Sequence, residues 1–153
     1  MTTGETSAAA SAGARPRYDI DGLKAKLAGI KTEDNANLVR QKSRDFYWYS
    51  PTLKRQLDHV VGDIIVSPVS EQEVVRVLAA AHELGIPVTP RGTGTGNYGQ
   101  AMPLSGGVVL DLSGMNKVLT VQPGRFVAEA GTIVAEIDKV ARPQAQEVRM
   151  HPS

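Results

Sequence analysis

The sequence predicts an α+β fold: a small parallel βαβ unit followed by the start of an antiparallel subdomain. Three observations predict it. Two β-branched runs, Asp63–Ser67 and Ile86–Thr89, flank a capped amphipathic stretch, as parallel strands joined by a crossover helix require. A third run, Val108–Leu112, follows a glycine-rich loop. Beyond it, Val118–Val121 and Phe126–Ala130 flank Gln122-Pro123-Gly124-Arg125, where Pro-Gly suits a type II turn and makes a hairpin.

From the N-terminus, Met1 to Arg15 are mostly Ala, Ser, Thr and Gly, which cannot bury enough surface to offset the entropy of ordering. Residues 1–17 are therefore expected to be a disordered tail, and they lack the basic start and leucine-rich stretch of a secretory signal. Residues 18–62 read as an N-terminal helical segment. Ile20, Leu23, Leu27 and Ile30 recur at helical spacing and predict a helix over 20–30. Four of the chain's seven aromatic residues, Phe46, Tyr47, Trp48 and Tyr49, stand together and are expected to plug the core. Ser50-Pro51 reads as an N-cap with proline at the first helical position; Leu53 and Leu57 face the core, and Gly62 ends the helix.

The domain proper is expected over 63–153. After the first strand, Ser70 and Glu73 form a capping box with Val69 and Val74 at the staple positions. Such a cap stabilises a helix by about 1 kcal/mol. Val74, Val77, Leu78 and Ala81 make the apolar face, and Gly85 supplies the stop. After the hairpin, Gly131-Thr132 opens a helix with Ile133, Val134, Ile137 and Val140 on one face.

Composition narrows the function. Hydrophobic content of 41% and charged content of 22% are those of an ordinary globular protein. A formal charge of +1 provides no basic field for nucleic acid or a membrane surface. The run Val74–Ala81 is far short of the ~20 apolar residues a membrane span needs. The absence of cysteine removes disulfides, thiolate metal sites and a thiol nucleophile, and predicts a cytoplasmic setting.

The most informative segment is Arg91-Gly92-Thr93-Gly94-Thr95-Gly96-Asn97-Tyr98-Gly99-Gln100. Glycines at four of the eight positions 92–99 leave little side-chain bulk, so successive backbone N–H groups can converge on an anion. Thr93 and Thr95 add hydroxyls, and Arg91 adds a charge suited to phosphate. The loop also follows the C-terminal end of a parallel strand, the edge where α/β sheets bind ligands. Gly94, Gly96 and Gly99 satisfy G-x-G-x-x-G, but Ala101-Met102-Pro103-Leu104-Ser105-Gly106-Gly107 cannot open the helix that a Rossmann fingerprint needs. His59, His82 and His151 lack metal-ligand spacing, so no metal site is expected. No nucleophile–base pair or paired carboxylates stand out, and no catalytic residue is assigned. Asp111, ahead of Ser113-Gly114, is expected to bond turn amides.

One ordered series of motifs resembles a known family. Ile65-Val66-Ser67-Pro68, Gly85-Ile86-Pro87-Val88, Pro90-Arg91-Gly92-x-Gly94-Thr95, Gly107–Leu112, Met115-Asn116-Lys117, Glu129-Ala130-Gly131 and Pro152-Ser153 resemble the PCMH-type FAD-binding domain of FAD-linked oxidases. The likeness is to the glycolate oxidase flavoprotein subunit and D-lactate dehydrogenase. It implies a three-strand subdomain carrying the loop, with the hairpin beginning a second subdomain. It further implies that Arg91–Gln100, and Pro152 near a second flavin segment, hold FAD. The expected activity is hydride transfer from a 2-hydroxy acid to FAD, with a substrate domain beyond Ser153, so that this stretch alone is inactive. The alternative is a non-catalytic FAD-binding module or truncated fragment. No histidine or cysteine stands in the loop, and Thr95 occupies the place of the histidine through which some members attach flavin, so the FAD is expected to be non-covalent. The electron acceptor is left open.

Overall fold

A computed structural model describes residues 18–149 of the chain. The predicted tail, His151 and Pro152 lie outside the described residues. The elements in order are α1 (Ile20–Lys26), β1 (Lys31–Glu33), α2 (Ala36–Lys42), α3 (Pro51–Leu57), β2 (Ile64–Ser67), α4 (Glu71–Glu83), β3 (Val88–Arg91), β4 (Val108–Asp111), β5 (Val118–Gln122), β6 (Arg125–Ala128) and α5 (Val134–Ala141).

The main sheet has four strands in the order β1-β2-β4-β3. β4 lies between β2 and β3 and is parallel to both, with Ile64 and Val88 each in register with Val108. The crossover helix α4 thus joins two strands that leave a gap for a third. β1 pairs antiparallel with β2, matching Lys31 to Ser67 and Glu33 to Ile65. It lies inside the segment read as wholly helical and makes the first subdomain four-stranded rather than three-stranded. A three-residue strand carrying Lys31 and Glu33 has neither the length nor the apolar alternation that would reveal it in sequence. Pro90 is tolerated in β3 because β3 is an edge strand, where a missing N–H breaks no ladder.

Burial follows a three-layer plan. On one face Ile64, Val66, Val108 and Leu110 pack against Leu23, Leu27 and Ile30 and against Val77, Ala80 and Ala81 of α4. On the other face Ile65 and Val109 meet Val39 of α2. Tyr47, Val60 and Met102, with Leu53 and Leu57, form a third cluster beside the sheet.

Local chemistry explains most helix ends. Asp19 accepts from Gly22 N (2.8 Å), and α1 stops at Lys26, short of the predicted Ile30. Asn35 accepts from the amides of Asn37 and Leu38 and starts α2, a helix the sequence reading left unassigned. Ser50 caps α3 through Leu53 N, with Pro51 in the first turn; the helix ends at Leu57 rather than Gly62. Ser70 accepts from Glu73 N (3.3 Å), and the Glu73 carboxylate accepts from Val69 N (2.8 Å), one residue earlier than a standard capping box. Val69 is exposed, so the staple is not closed. Leu78 is also exposed; Ala80 takes the place assigned to it on the buried face. The hairpin forms as predicted, with Gln122 opposite Arg125 and Gly124 at φ +76°.

The aromatic cluster departs from expectation. Tyr47 is fully buried, while Phe46, Trp48 and Tyr49 are exposed and stack on one another, Trp48 and Tyr49 with centroids 4.1 Å apart. One residue of the four is the plug. A single 3-10 turn over Tyr47–Tyr49 points consecutive side chains in different directions, so adjacent aromatics cannot all enter one core.

Candidate functional site

β3 ends at Arg91, and the chain leaves the sheet through 92–107 before returning as β4. No helix forms between Gly92 and Gly107, as the rejection of the Rossmann reading requires. Among the described residues, the amides of Thr93, Gly94, Thr95, Gly96 and Asn97 find no acceptor in the protein. Five consecutive free donors stand at the C-terminal end of the parallel strands. Four of them, Thr93 to Gly96, border a cleft of about 290 Å³ lined by Pro90–Gly96, Ala101 and Ala130–Thr132. The cleft therefore opens between the glycine loop and the end of β6. A run of unpaired amides beside a cleft fits an anionic group such as a diphosphate.

Arg91 lines the cleft, and backbone carbonyls engage its guanidinium. Its Nη1 donates to the carbonyls of Lys42 (2.7 Å) and Arg44, and Nη2 donates to Thr93 O (3.4 Å). The guanidinium thus ties the loop to the C-terminal end of α2. Burial pulls its pKa down, opposed by the charges of Asp111 and Asp45. Asp111 stands opposite Arg91 in the ladder. Its carboxylate pairs with Lys42 (2.8 Å) and accepts from Ser113 N (3.1 Å), which is the turn-amide role expected of it. Burial alone would raise the Asp111 pKa, but the bonds from Lys42 and Ser113 outweigh it and hold the group below its ordinary value. Arg91, Lys42, Asp45 and Asp111 together carry two charges of each sign. These four side chains therefore add no net charge to the loop, and its free amides are the donors it offers.

The floor of the loop comes from the segment that sequence reasoning passed over. Asp45, 4% exposed, accepts from Tyr47 N (2.8 Å) and from Gly99 N (2.9 Å). Phe46 N donates to Gly96 O (2.8 Å). Ser43, fully buried, donates to Val39 O (2.7 Å) and accepts from Gly62 N (2.9 Å), fixing this segment against the start of β2. The signals available in sequence were slight: a Ser-Arg-Asp run between an Asn-capped helix and an aromatic cluster.

The remaining loop residues fall into two groups. Gly94 sits at φ +74°, and a side chain there would collide with the Arg91 guanidinium. Gln100 accepts from Tyr98 N through Oε1 (3.1 Å), Tyr98 is exposed, and Thr93 and Thr95 line the loop walls. On the far side of the cleft Gly131 leaves no room for a Cβ against the Leu112 carbonyl, so the strand end can approach the sheet. Among the described residues no group of three or more His, Asp or Glu side chains could hold a metal.

A mixed fold of this kind, with an amide-lined loop at the carboxyl edge of its parallel strands, defines a cofactor-binding domain. Residues 62–153 match the family described as FAD binding domain, and the chain belongs to it. Relatives bear out the sequence resemblance. A D-lactate dehydrogenase of Anaerostipes hadrus is 34% identical over 84 residues, covering 54% of this chain and 18% of that protein. The glycolate oxidase subunit GlcD of Bacillus subtilis is 30% identical over 115 residues, covering 75% of this chain and 23% of that protein. An alkyldihydroxyacetonephosphate synthase structure superposes with a TM-score of 0.72 at 22% identity, over 90% of this chain and 27% of that one. That likeness shows the fold. The chain spans less than a quarter of the length of the curated relatives it matches.

Proposed function

We propose that this chain is the cofactor-holding part of an FAD-dependent dehydrogenase that oxidises a 2-hydroxy acid of the glycolate or D-lactate type. The observation that carries the reading is the run of free amides from Thr93 to Asn97 at the mouth of the cleft. These amides would hold the FAD diphosphate, with Gly92 leaving space for close approach, Gly94 supplying the positive-φ turn over Arg91, and Thr93 and Thr95 adding hydroxyls. The family resemblance adds Asn97 to Gln100 and Pro152 to the residues that would contact FAD. Bound FAD supplies a two-electron acceptor for the hydride leaving the hydroxyl-bearing carbon. Arg91 contributes by holding the loop against α2 rather than by lending a free charge.

The substrate class is supported by the relatives, whose names specify glycolate and D-lactate. Non-covalent attachment is supported by the loop's composition: Arg91 to Gln100 contain no histidine, cysteine or lysine, and Thr95 stands where some members of the family carry the attaching histidine. Among the described residues no helix is long and apolar enough to cross a membrane. The absence of cysteine supports a cytoplasmic setting.

The test is Gly94→Val in the full-length protein. A β-branched side chain at φ +74° is strained and would displace Arg91. The variant should purify without visible flavin absorbance, while its melt without FAD stays cooperative and falls only by the few degrees that about 1–3 kcal/mol of local strain accounts for. FAD at 100 times its dissociation constant stabilises a fold by about 2.7 kcal/mol, so wild type alone should melt higher on adding it. A fully yellow Gly94→Val protein would show that the loop is not the cradle. Acid precipitation should leave the colour of wild type in the supernatant, and colour in the pellet would overturn the non-covalent assignment.

A further inference from the structure

We propose that Asp45 is the positioning residue that gives the glycine-rich loop its cofactor-ready shape, an inference that rests on the loop being the diphosphate cradle. A loop with four glycines in eight residues has more backbone freedom to lose than an ordinary loop of that length. It is ordered either before the ligand arrives or at the expense of binding. Arg91 ties down its start through Thr93 O, and the bonds that hold its Gly96–Gly99 end from outside the loop come from residues 45 and 46. The two carboxylate oxygens of Asp45 divide their work: Oδ1 fixes its own turn through Tyr47 N, and Oδ2 holds Gly99 N. Phe46 N holds Gly96 O, so both ends of the tight Gly96–Gly99 stretch are gripped from below. The grip uses an amide outside the free run Thr93–Asn97 and leaves that run to face the cleft.

Charge and shape both favour aspartate at this position. Bonds to a carboxylate are stronger than neutral ones, and the adjacent Arg91 cation offsets a negative charge that would otherwise repel a diphosphate. An asparagine of the same volume supplies one acceptor for two N–H donors, and its NH2 would meet an N–H head-on. Packing is close enough that a Cβ on Gly96 would stand 3.3 Å from Oδ2. A residue acting only through packing would tolerate asparagine; a residue acting through its two acceptors would not.

The experiment titrates FAD into the FAD-stripped full-length protein for wild type, Asp45→Asn and Gly94→Val, and follows amide hydrogen exchange of the stripped wild type. Asp45→Asn is expected to weaken FAD binding by about tenfold or more, the worth of a bond to a charged group. Gly99 in stripped wild type should exchange more slowly than Thr95, because its amide is already bonded before any ligand binds. Wild-type affinity in Asp45→Asn together with lost binding in Gly94→Val would overturn the role of Asp45 and leave the cradle standing. Full binding in both variants would remove the cradle itself. If Asp45→Asn does not fold, the exchange result decides: a Gly99 amide as exposed as Thr95 overturns the proposal.

Discussion

Strands β2 and β4 are hidden on both faces, whereas β5 and β6 leave Leu119, Phe126 and Val127 in solvent. The helices differ in the same way. α4 buries Val77, Ala80 and Ala81 against the sheet; α5 buries Ile137 and Ala141 but exposes Ile133, Val134 and Val140, three of the four residues expected on its inner face. Both regions carry equally good local signals of strand, turn and helix. The difference teaches that local pattern specifies an element, while stability depends on how many layers cover it. In the sheet region α1 and α4 cover one face and α2 the other. The hairpin region is held by its own ladder, by Gly131 N donating to Met115 O (2.8 Å) and by Glu129 N donating to Lys117 O (2.9 Å).

The largest expected effect lies in the sheet region. Leu23→Ala, at a fully buried position, should lower unfolding free energy by about 2–5 kcal/mol in a urea titration. A loss below 1 kcal/mol would show that α1 is not part of the core. The joint between the regions comes next. Gly131→Ala forces a methyl into the Leu112 carbonyl and should cost about 1–3 kcal/mol. Its hydrogen-exchange signature should be concentrated in 112–131 rather than in β2, and uniform loss of protection would mean that the two regions unfold as one.

A smaller effect sharpens the account of how the helical segment is fastened. Asp58 is lowered from 3.8 to about 2, first by the hydrogen bond from Lys54 and then by that from Tyr47. The folded protein holds this proton less tightly than the unfolded chain does. The stability Asp58 contributes is therefore complete above the unfolded value of 3.8 and vanishes as pH falls through about 2. Asp58→Asn should melt below wild type at pH 6, and the gap should close between pH 4 and pH 2. A gap independent of pH would exclude the ion pair as its origin. The smallest effect belongs to the hairpin: Leu119→Ala, at an exposed site, should change stability by no more than about 0.5 kcal/mol. A loss comparable to that of Leu23→Ala would erase the contrast between the regions.

Residue chemistry that acts over four or five positions was readable without coordinates. Ser50 and Ser70 announce helix starts, Pro123-Gly124 announces the hairpin, and the β-branched runs announce β2 and β4. The glycine loop could be separated from a Rossmann turn because Pro103, Gly106 and Gly107 forbid the required helix. Each of these rests on backbone dihedrals and on bonds between near neighbours, so the residues involved appear together in the chain.

Tertiary structure decided the rest. That β4 inserts between β2 and β3, that Lys31–Glu33 adds a strand, and that Tyr47 alone of four aromatics is buried all depend on partners distant in sequence. The same holds at the loop. Asp45 meets Gly99 across 54 positions and Arg91 meets Lys42 across 49, so neither contact leaves a spacing to read. The charge of Arg91 is visible in sequence, whereas the carbonyls that engage its Nη1 are supplied by every residue type alike. A backbone acceptor has no signature in the amino-acid code, and only the fold brings it within reach.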